Sequence, residues 1–230
     1  MIHIRPFGSL GHADHGWLNA RHHFSFASYH DPARMSWGRI RVWNDDQIAG
    51  KSGFPPHPHR DMEIVTYVRT GAITHQDSMG NKGRTAAGDV QVMSAGTGVV
   101  HAEYNLEDEQ TTLFQIWIET DRPGAKPSWG AMPFPKDSRQ GAFQLLASGD
   151  PDDGTLTINA DARVLGASVK AGESIAIDAR PDRHLYLVPS GRVRVNGVEA
   201  APRDGVAITG EECVTIEADA DAELVLVDAA

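Results

Sequence analysis

The most constraining feature of this 230-residue chain is the absence of any long helical pattern. No stretch of about twelve residues or more keeps a 3.6-residue apolar period without a glycine or proline breaking it. Short runs rich in Val, Ile, Thr and aromatic residues recur instead, bounded by Gly, Pro, Asn or Asp. These runs are Ile40–Trp43, Glu63–Val68, Asp89–Met93, Thr112–Ile118, Leu156–Ile158, Ser174–Ile177, Leu185–Val188, Val193–Val195 and Leu224–Val227. Many short, regularly spaced strands indicate an all-β sandwich or barrel.

A segment rich in proline and glycine divides the chain. Its breakers are Pro123, Gly124, Pro127, Gly130, Pro133 and Pro135. Because the strand pattern lapses between residues 119 and 144, this segment indicates a connector between two domains. We therefore predict a first domain over residues 1–135 and a second over residues 136–230.

The two halves also carry a faint internal repeat. Placing Gly71 on Gly191, an offset of 120 residues, lays Tyr67–Thr70 over Leu187–Ser190. The histidines of the first half have no histidine counterparts under this offset. The repeat predicts two copies of one β unit, with histidine chemistry confined to the first.

Composition excludes several classes of protein. The net charge is −10 and no basic stripe offsets it, so direct binding of nucleic acid is not expected. No apolar stretch approaches the ~18–20 residues that span a bilayer, and Met1–Pro6 lacks a basic segment followed by an apolar one. The single cysteine, Cys213, starts the apolar run Cys213–Ile216. We predict a buried strand cysteine in a cytoplasmic protein that is neither secreted nor bound to a membrane.

Ten of the eleven histidines lie within the first 101 residues, and two pairs stand out there. His57 is followed by His59, and His101 is followed by Glu103. Residues i and i+2 of an extended chain point to the same face, so the members of each pair project together. Prolines around the first pair stiffen its backbone and remove amide donors. Rigid presentation of two imidazoles is typical of a metal site.

The two pairs would form one ligand set if they faced each other across a barrel mouth. Three neutral imidazoles and one carboxylate suit Fe, Mn, Co, Ni or Cu in the divalent state, and they leave positions for water or substrate. Spacing alone leaves the fourth ligand open, because Glu63 lies four residues after His59 and shares its face along a regular strand. Either Glu63 or Glu103 could coordinate the metal, while the other hydrogen-bonds a ligand imidazole.

The remaining histidines and aromatic residues have simpler interpretations. His22 and His23 point in opposite directions along a strand, so at most one faces a pocket. His75 and Asp77 are interpreted as a hydrogen-bonded pair that stabilises a turn, rather than as a catalytic dyad. Four aromatic side chains are assigned to the core or to a pocket wall without a choice between the two: Trp17, Phe24, Phe26 and Trp43.

Two motifs together resemble the paired motifs of the cupin superfamily. The first, Gly-x3-His-x-His-x3-Glu-x7-Gly, spans Gly53–Gly71, and the second, Gly-x7-Gly-x-Gly-x2-His-x3-Asn, spans Gly88–Asn105. The match departs from the usual pattern in two places, because the customary first glycine falls at Lys51 and Gly96 stands where a proline is common.

Three runs resemble the pirin family more narrowly, and within it the bacterial pirins with quercetin 2,3-dioxygenase activity. They are His22–Tyr29, Pro56–Arg60 and Gly96–Glu103. The resemblance covers the first half closely and the second half in outline. It implies an all-β bicupin fold, with two jelly-roll (double-stranded β-helix) barrels, of which the second lacks metal ligands.

The resemblance also implies which residues hold the metal, and it favours Glu103 over Glu63. The implied ligands are His57, His59, His101 and Glu103. The expected ion is Fe²⁺, with Ni²⁺, Co²⁺, Mn²⁺, Cu²⁺ or Zn²⁺ as alternatives that the same ligands accept.

The leading hypothesis is a dioxygenase that uses O₂ to cleave a small aromatic substrate, a flavonol such as quercetin. The metal would bind the deprotonated 3-hydroxyl of the substrate, and Glu103 would be the catalytic base that takes its proton. Ring cleavage with loss of carbon monoxide is implied by the resemblance. Two alternatives stay open: a metal-bearing, redox-sensitive regulatory module that acts through a protein partner, and a cupin-type enzyme acting on another small metabolite.

Overall fold

The computed structural model describes residues 1–230, which form β-strands and four short 3₁₀ helices but no α-helix. None of the helices is long and apolar enough to cross a membrane. The 3₁₀ helices lie at Phe7–Ser9, Pro32–Arg34, Lys136–Arg139 and Pro151–Asp153. The strands before the predicted boundary are β1 (Ile2–Arg5), β2 (Gly11–Asp14), β3 (Leu18–His22), β4 (Ile40–Ile48), β5 (Ser52–His59), β6 (Met62–Thr70), β7 (Ala72–Asp77), β8 (Lys82–Ala86), β9 (Val90–Ser94), β10 (Val99–Asn105), β11 (Thr111–Glu119) and β12 (Ser128–Met132). Those after it are β13 (Gln144–Ser148), β14 (Leu156–Thr157), β15 (Ala162–Val169), β16 (Ser174–Asp178), β17 (His184–Pro189), β18 (Val193–Val195), β19 (Val198–Ala200), β20 (Gly205–Thr209), β21 (Cys213–Ala218) and β22 (Ala222–Ala229).

The predicted all-β, two-barrel architecture is confirmed, and each predicted run overlaps a strand. Each barrel joins a seven-stranded sheet to a four-stranded one. In the first barrel the strand orders are β12-β9-β6-β11-β4-β3-β2 and β5-β10-β7-β8. In the second barrel they are β1-β20-β17-β22-β15-β13-β14 and β16-β21-β18-β19.

The two seven-stranded sheets pack against each other through their outer faces. A cluster of 24 buried residues fills this junction, including Trp43 and Tyr67 from the first sheet and Tyr186 and Val227 from the second. These sheets are therefore covered on both faces, and β22 shows the effect: Val225 and Val227 face the junction, whereas Leu224 and Leu226 face the interior of the second barrel.

The chain passes between the two barrels more often than the single connector predicted from the sequence. Strand β1 pairs with β20 and so belongs to the second barrel, although it lies near residue 1. The segment 119–144 is not all connector, because β12 within it pairs with β9 along an edge of the first barrel. The predicted division between residues 135 and 136 falls between β12 and β13.

The internal repeat is real as a repeat of architecture, but its predicted offset is wrong by one residue within the strand. Tyr67 faces the junction between the barrels, whereas Leu187, which the offset of 120 places over it, faces the interior of the second barrel. Tyr186 is the residue that shares the environment of Tyr67. The offset was set by superposing the two turn glycines, which do not stand at equivalent positions. Gly71 follows β6 directly, whereas Ser190 lies between the end of β17 and Gly191. A slip of one residue reverses every side chain of a strand.

The prediction of a buried Cys213 is wrong. Cys213 does begin a strand, β21, but its side chain is exposed. Strand β21 belongs to a four-stranded sheet with one solvated face, so Val214 and Ile216 point inward while Cys213 points outward.

Candidate metal centre and cavity

Two antiparallel strands of the first barrel present the predicted ligands. Strand β5 is the edge of its sheet and pairs with β10, with His57 directly opposite His101. An edge strand tolerates prolines because its outer amides need no partner. The register shifts at Pro55–Pro56, a bulge next to His57 that re-aims the strand. The sequence Pro-Pro-His-Pro-His therefore gives a stiff edge that projects two imidazoles together.

Three imidazoles converge at this point. One ring nitrogen from each of His57, His59 and His101 lies within 4.8 Å of the others, and the Nε2 atoms of His57 and His101 are 3.0 Å apart. The structure thus brings together the three histidines that the sequence singles out.

Neighbouring groups fix where the protons of these rings sit. The carbonyl oxygen of Pro55 lies 2.7 Å from His57 Nδ1 and can only accept, so His57 carries its proton there. Asp77 Oδ2, 3.1 Å from His75 Nε2, fixes the His75 proton on that atom. With a proton on Nε2 only, His75 presents Nδ1 as an acceptor, 3.4 Å from His101 Nδ1.

The contact to Pro55 leaves the lone pair of His57 on Nε2, and His101 has one on Nε2 when its proton lies on Nδ1. The two Nε2 atoms, 3.0 Å apart, can share one proton in a hydrogen bond, and with both lone pairs free they are placed to bind a cation together. Burial, with help from neighbouring imidazoles, lowers the pKa of His101 to about 3 and that of His59 to about 4. Both rings are therefore neutral near pH 7, which is the form that binds a metal. The donor set fits a divalent first-row ion.

Glu103 lies beside this group and is held firmly. One of its oxygens accepts from Gln91 Nε2 at 2.6 Å and from the Thr66 hydroxyl at 3.2 Å. The other accepts from Gln115 Nε2 at 2.7 Å. Potential ligand atoms of Glu103, His101 and His75 lie within 4.8 Å of one another. The carboxylate is thus oriented by amides and not free to rotate.

Glu63 lies outside the histidine group. Its carboxylate accepts from the Ser94 hydroxyl, and it points to the opposite face of β6 from Thr66. The same-face argument failed because a turn separates His59 from Glu63, with Asp61 at a φ of +47°. The i+4 parity of a regular strand does not carry through such a turn.

A polar row that the sequence analysis missed supports Glu103. It crosses five strands in register: His22, Asn44, Gln115, Thr66 and Gln91. His22 Nδ1 lies 2.8 Å from Asn44 Oδ1, and the Thr66 hydroxyl lies 2.9 Å from Gln115 Oε1 and 3.2 Å from Glu103, so the two oxygens share its single hydrogen. Isolated polar residues inside strongly apolar strands were the available signal.

His75 is the other functional residue that was undervalued. Asp77 does stabilise a turn, because it also accepts from the backbone of Met79 and Asn81. The same histidine, however, contacts His101 and stacks on Trp129 at 4.9 Å with an interplanar angle of 10°. The pair therefore orients a candidate ligand in addition to closing a turn.

A cavity of about 580 Å³ opens beside the imidazoles. His57, His59, Glu103 and Gln115 line one part of it, and His22, Asn44 and Asp46 line another. Burial, followed by the charges of Asp45 and Glu103, raises the pKa of Asp46 well above its usual range. The apolar walls are Trp17, Leu18, Ala20, Phe26, Phe54 and Trp117.

The structure decides which of the four aromatic residues, and which of the two adjacent histidines, face the cavity. Trp17 and Phe26 are cavity wall, whereas Phe24 and Trp43 belong to the core between the barrels. As predicted, only one of the two adjacent histidines faces the cavity. His23 is instead buried, with Nδ1 3.0 Å from the hydroxyl of Tyr186.

The second barrel has no equivalent site. Both groups of potential ligands lie in the first barrel, and the interior of the second is filled by a cluster of 17 buried apolar residues. A cleft of about 570 Å³ elsewhere is lined mainly by charged residues that pair with one another, such as Arg183 with Asp161 and Asp228.

Two packed β-barrels, with a histidine and glutamate group inside the first, define a two-domain cupin protein. Residues 3–118 match the family model described as Pirin, and residues 145–229 match that of the quercetinase C-terminal cupin domain. The chain belongs to the pirin family.

Similar proteins cover the whole chain. A pirin-like protein of Caulobacter vibrioides is 64% identical over 232 residues, which is 100% of both chains. The quercetin 2,3-dioxygenase of Escherichia coli K12 is 44% identical over 230 residues, covering 99% of this chain and 98% of the relative. The crystal structure of the E. coli bacterial pirin YhhW in complex with nickel(II) superposes with a TM-score of 0.93 at 41% identity, covering 100% of this chain and 99% of the other.

Proposed function

We propose that this pirin is a metal-dependent dioxygenase that cleaves a flavonol such as quercetin. The observation that carries the proposal is a group of three imidazoles whose ring nitrogens lie within 4.8 Å of one another, beside a largely apolar cavity of about 580 Å³. This volume lies within the usual range for sites that enclose a small molecule. The similarity to an E. coli quercetin 2,3-dioxygenase supports the same reaction class.

His57, His59, His101 and Glu103 are the residues we assign to the metal, with Fe²⁺ as the expected ion. Nickel in the complex of the E. coli pirin supports a site that also accepts other divalent ions. When bound, the ion would supply a Lewis acid that favours the ionised form of the substrate's 3-hydroxyl.

The chain's own groups would then bind the substrate and move the proton. Trp17, Phe54 and Trp117 offer flat apolar faces to an aromatic ring and exclude water from it. A carboxylate oxygen of Glu103 takes the hydroxyl proton as general base. Gln91 and Gln115 keep that carboxylate in place, so little reorganisation is needed when the proton moves.

Oxygen uptake by metal-reconstituted protein supplied with quercetin tests the proposal. We expect uptake that requires added metal and is abolished in His101→Ala, with His30→Ala as a control because His30 is exposed and outside the cavity. Stoichiometric metal binding without uptake, for every first-row divalent ion, would reject the quercetin dioxygenase and favour the regulatory module.

A further inference from the structure

Asp46 is a carboxyl group in an otherwise apolar row of the first barrel. Across the sheet it pairs with Ala20 on β3 and Leu113 on β11, and Leu113 pairs with Val68 on β6. These three neighbours form one apolar cluster, and the side chain of Asp46 is buried with them, at 2% exposure. An acidic residue in such a row needs a reason.

The fold gives Asp46 no partner, although it gives one to the preceding residue. Asp45 points to the other face of β4 and is held by Arg69 and by Arg203, the latter at 2.6 Å. No protein group donates to the buried Oδ1 of Asp46. An unpaired buried carboxyl destabilises the folded state, so packing alone does not account for it.

Asp46 lines the same cavity as His57, His59 and Glu103. We infer that the carboxyl group of Asp46 accepts a hydrogen bond from a ring hydroxyl of the substrate other than the one bound at the metal centre. This inference deepens the proposed function and rests on it for the substrate class, a polyhydroxylated flat aromatic molecule. A carboxyl oxygen accepts whether or not the group is protonated, so the role does not depend on its charge.

Such a contact determines specificity rather than chemistry. A site that hydrogen-bonds a substrate hydroxyl discriminates strongly against an analogue that lacks it, because the buried polar group is then left unpaired. Asp46 therefore favours substrates with extra ring hydroxyls over the bare ring system.

Binding of two flavonols to the nickel-loaded full chain without oxygen tests the inference. Quercetin carries additional ring hydroxyls, whereas 3-hydroxyflavone carries only the hydroxyl assigned to the metal centre. Quenching of tryptophan fluorescence reports binding, because Trp17 and Trp117 line the cavity. The variants are Asp46→Leu, which removes the acceptor, and Asp46→Asn, which keeps an acceptor oxygen. Asp178→Leu is the matched control, since Asp178 is an exposed strand residue of the second barrel.

We expect Asp46→Leu to weaken quercetin binding about 10-fold or more, and 3-hydroxyflavone binding less than about 2-fold. Asp46→Asn should retain most of the preference, and Asp178→Leu all of it. The melting temperature of Asp46→Leu should not fall, since an apolar side chain replaces an unpaired carboxyl. A purely structural Asp46 would instead lower the melting temperature and weaken both ligands alike.

Three results overturn the inference: equal weakening of both flavonols, no weakening of either, or a wild-type protein without preference for quercetin. Its failure is separable from failure of the proposed function. Preferential binding that depends on Asp46, without oxygen uptake, would reject the dioxygenase and keep the contact. Normal oxygen uptake by the wild type, together with unchanged flavonol binding in Asp46→Leu, would keep the dioxygenase and reject the contact.

Discussion

The imidazole of His101 is oriented by a group that is not itself assigned to the metal. His75 accepts from His101 Nδ1, and Asp77 in turn fixes the proton of His75. When the proton of His101 lies on Nδ1, this relay leaves the lone pair on Nε2. Carboxylate or imidazole partners of this kind set the tautomer and the basicity of a ligand histidine.

Replacing His75 should therefore weaken metal binding without unfolding the barrel. Phenylalanine keeps a flat ring against Trp129 but offers no acceptor to His101. We expect His75→Phe to lower nickel affinity roughly 10–100-fold in calorimetric titrations, with His30→Ala unchanged. Equal affinities for His75→Phe and wild type would show that the relay does not orient the ligand.

Glu103→Gln tests the base at the same scale. The amide keeps the shape of the side chain but cannot take a proton, and it places an NH₂ group against the amides of Gln91 and Gln115. We expect turnover at saturating metal to fall roughly 10²–10⁴-fold, measured as oxygen uptake. A variant that keeps its metal and full turnover would show that Glu103 is not the base.

The buried histidines also make metal-free stability depend on pH. Histidines of the unfolded chain protonate below about pH 6.5, whereas those of the fold stay neutral down to about pH 4 for His59 and about 3 for His101. Between about pH 6.5 and 5 the unfolded state binds more protons, so the free energy of unfolding falls as the pH is lowered.

Each of these two histidines contributes a slope of up to ~1.4 kcal/mol per pH unit in that window. Urea denaturation of metal-free protein between about pH 7 and 5 measures it. For His101→Phe, we expect the free energy of unfolding to depend less steeply on pH than in wild type, because one of the two histidines no longer contributes. Identical slopes would mean that His101 is not held neutral by burial.

At the scale of elements, the pairing of β5 with β10 is what brings His57 opposite His101, and it depends on one glycine. A Cβ at Gly53 would meet the carbonyl oxygen of Glu103 and would lie 2.6 Å from Tyr104 Cα, both on β10. Backbone atoms cannot rotate away as the end of a side chain can. The two strands must then separate or shift.

Gly53→Ala should accordingly lower both stability and nickel affinity. The expected loss of unfolding free energy is about 1–3 kcal/mol, the usual cost of overpacking. Gly8→Ala is the control, because no atom lies within 4 Å of a Cβ built there. Thermal melts and nickel titrations of the two variants provide the comparison, and a Gly53→Ala protein that matches Gly8→Ala in both would contradict the argument.

Elements and ligand pairs were predictable where the signal was local. The i, i+2 spacing of His57 and His59 needs only an extended chain, and the strand runs need only composition. The predictions that failed had two causes. Glu63 was placed by the parity of a regular strand, which the local turn at Asp61 interrupts, and Cys213 was placed without knowing which face of β21 is solvated.

The polar row and the relay were out of reach for the same reason. Gln91, Thr66 and Gln115 become neighbours only through the register of β9, β6 and β11. His75 meets His101 because β7 pairs with β10, and nothing in their spacing along the chain requires that pairing. The sequence of a strand shows which side chains share a face, but it does not show which strand pairs with it.

At the scale of the whole molecule, the shared core predicts that the two barrels unfold as one cooperative unit. We expect a single calorimetric unfolding transition, with its melting temperature raised as a whole by nickel although the proposed metal site lies in the first barrel. Leu187 lies deep in the second barrel. Leu187→Ala should lower the free energy of unfolding of the whole protein by about 2–5 kcal/mol and leave nickel affinity unchanged. Two resolved transitions, of which nickel moves only one, would show that the barrels unfold independently.

The position of β1 has a consequence for how the protein is synthesised. Arg5 of β1 pairs with Gly205 of β20, so the partner strand emerges from the ribosome 200 residues later. At roughly 5–20 residues per second, the delay is on the order of 10–40 s. Strands β2–β12 can close the first barrel during that time, while Ile2 and Ile4 wait without the cluster they will cover. We therefore expect the nascent chain to keep two apolar side chains of β1, Ile2 and Ile4, uncovered through most of its synthesis.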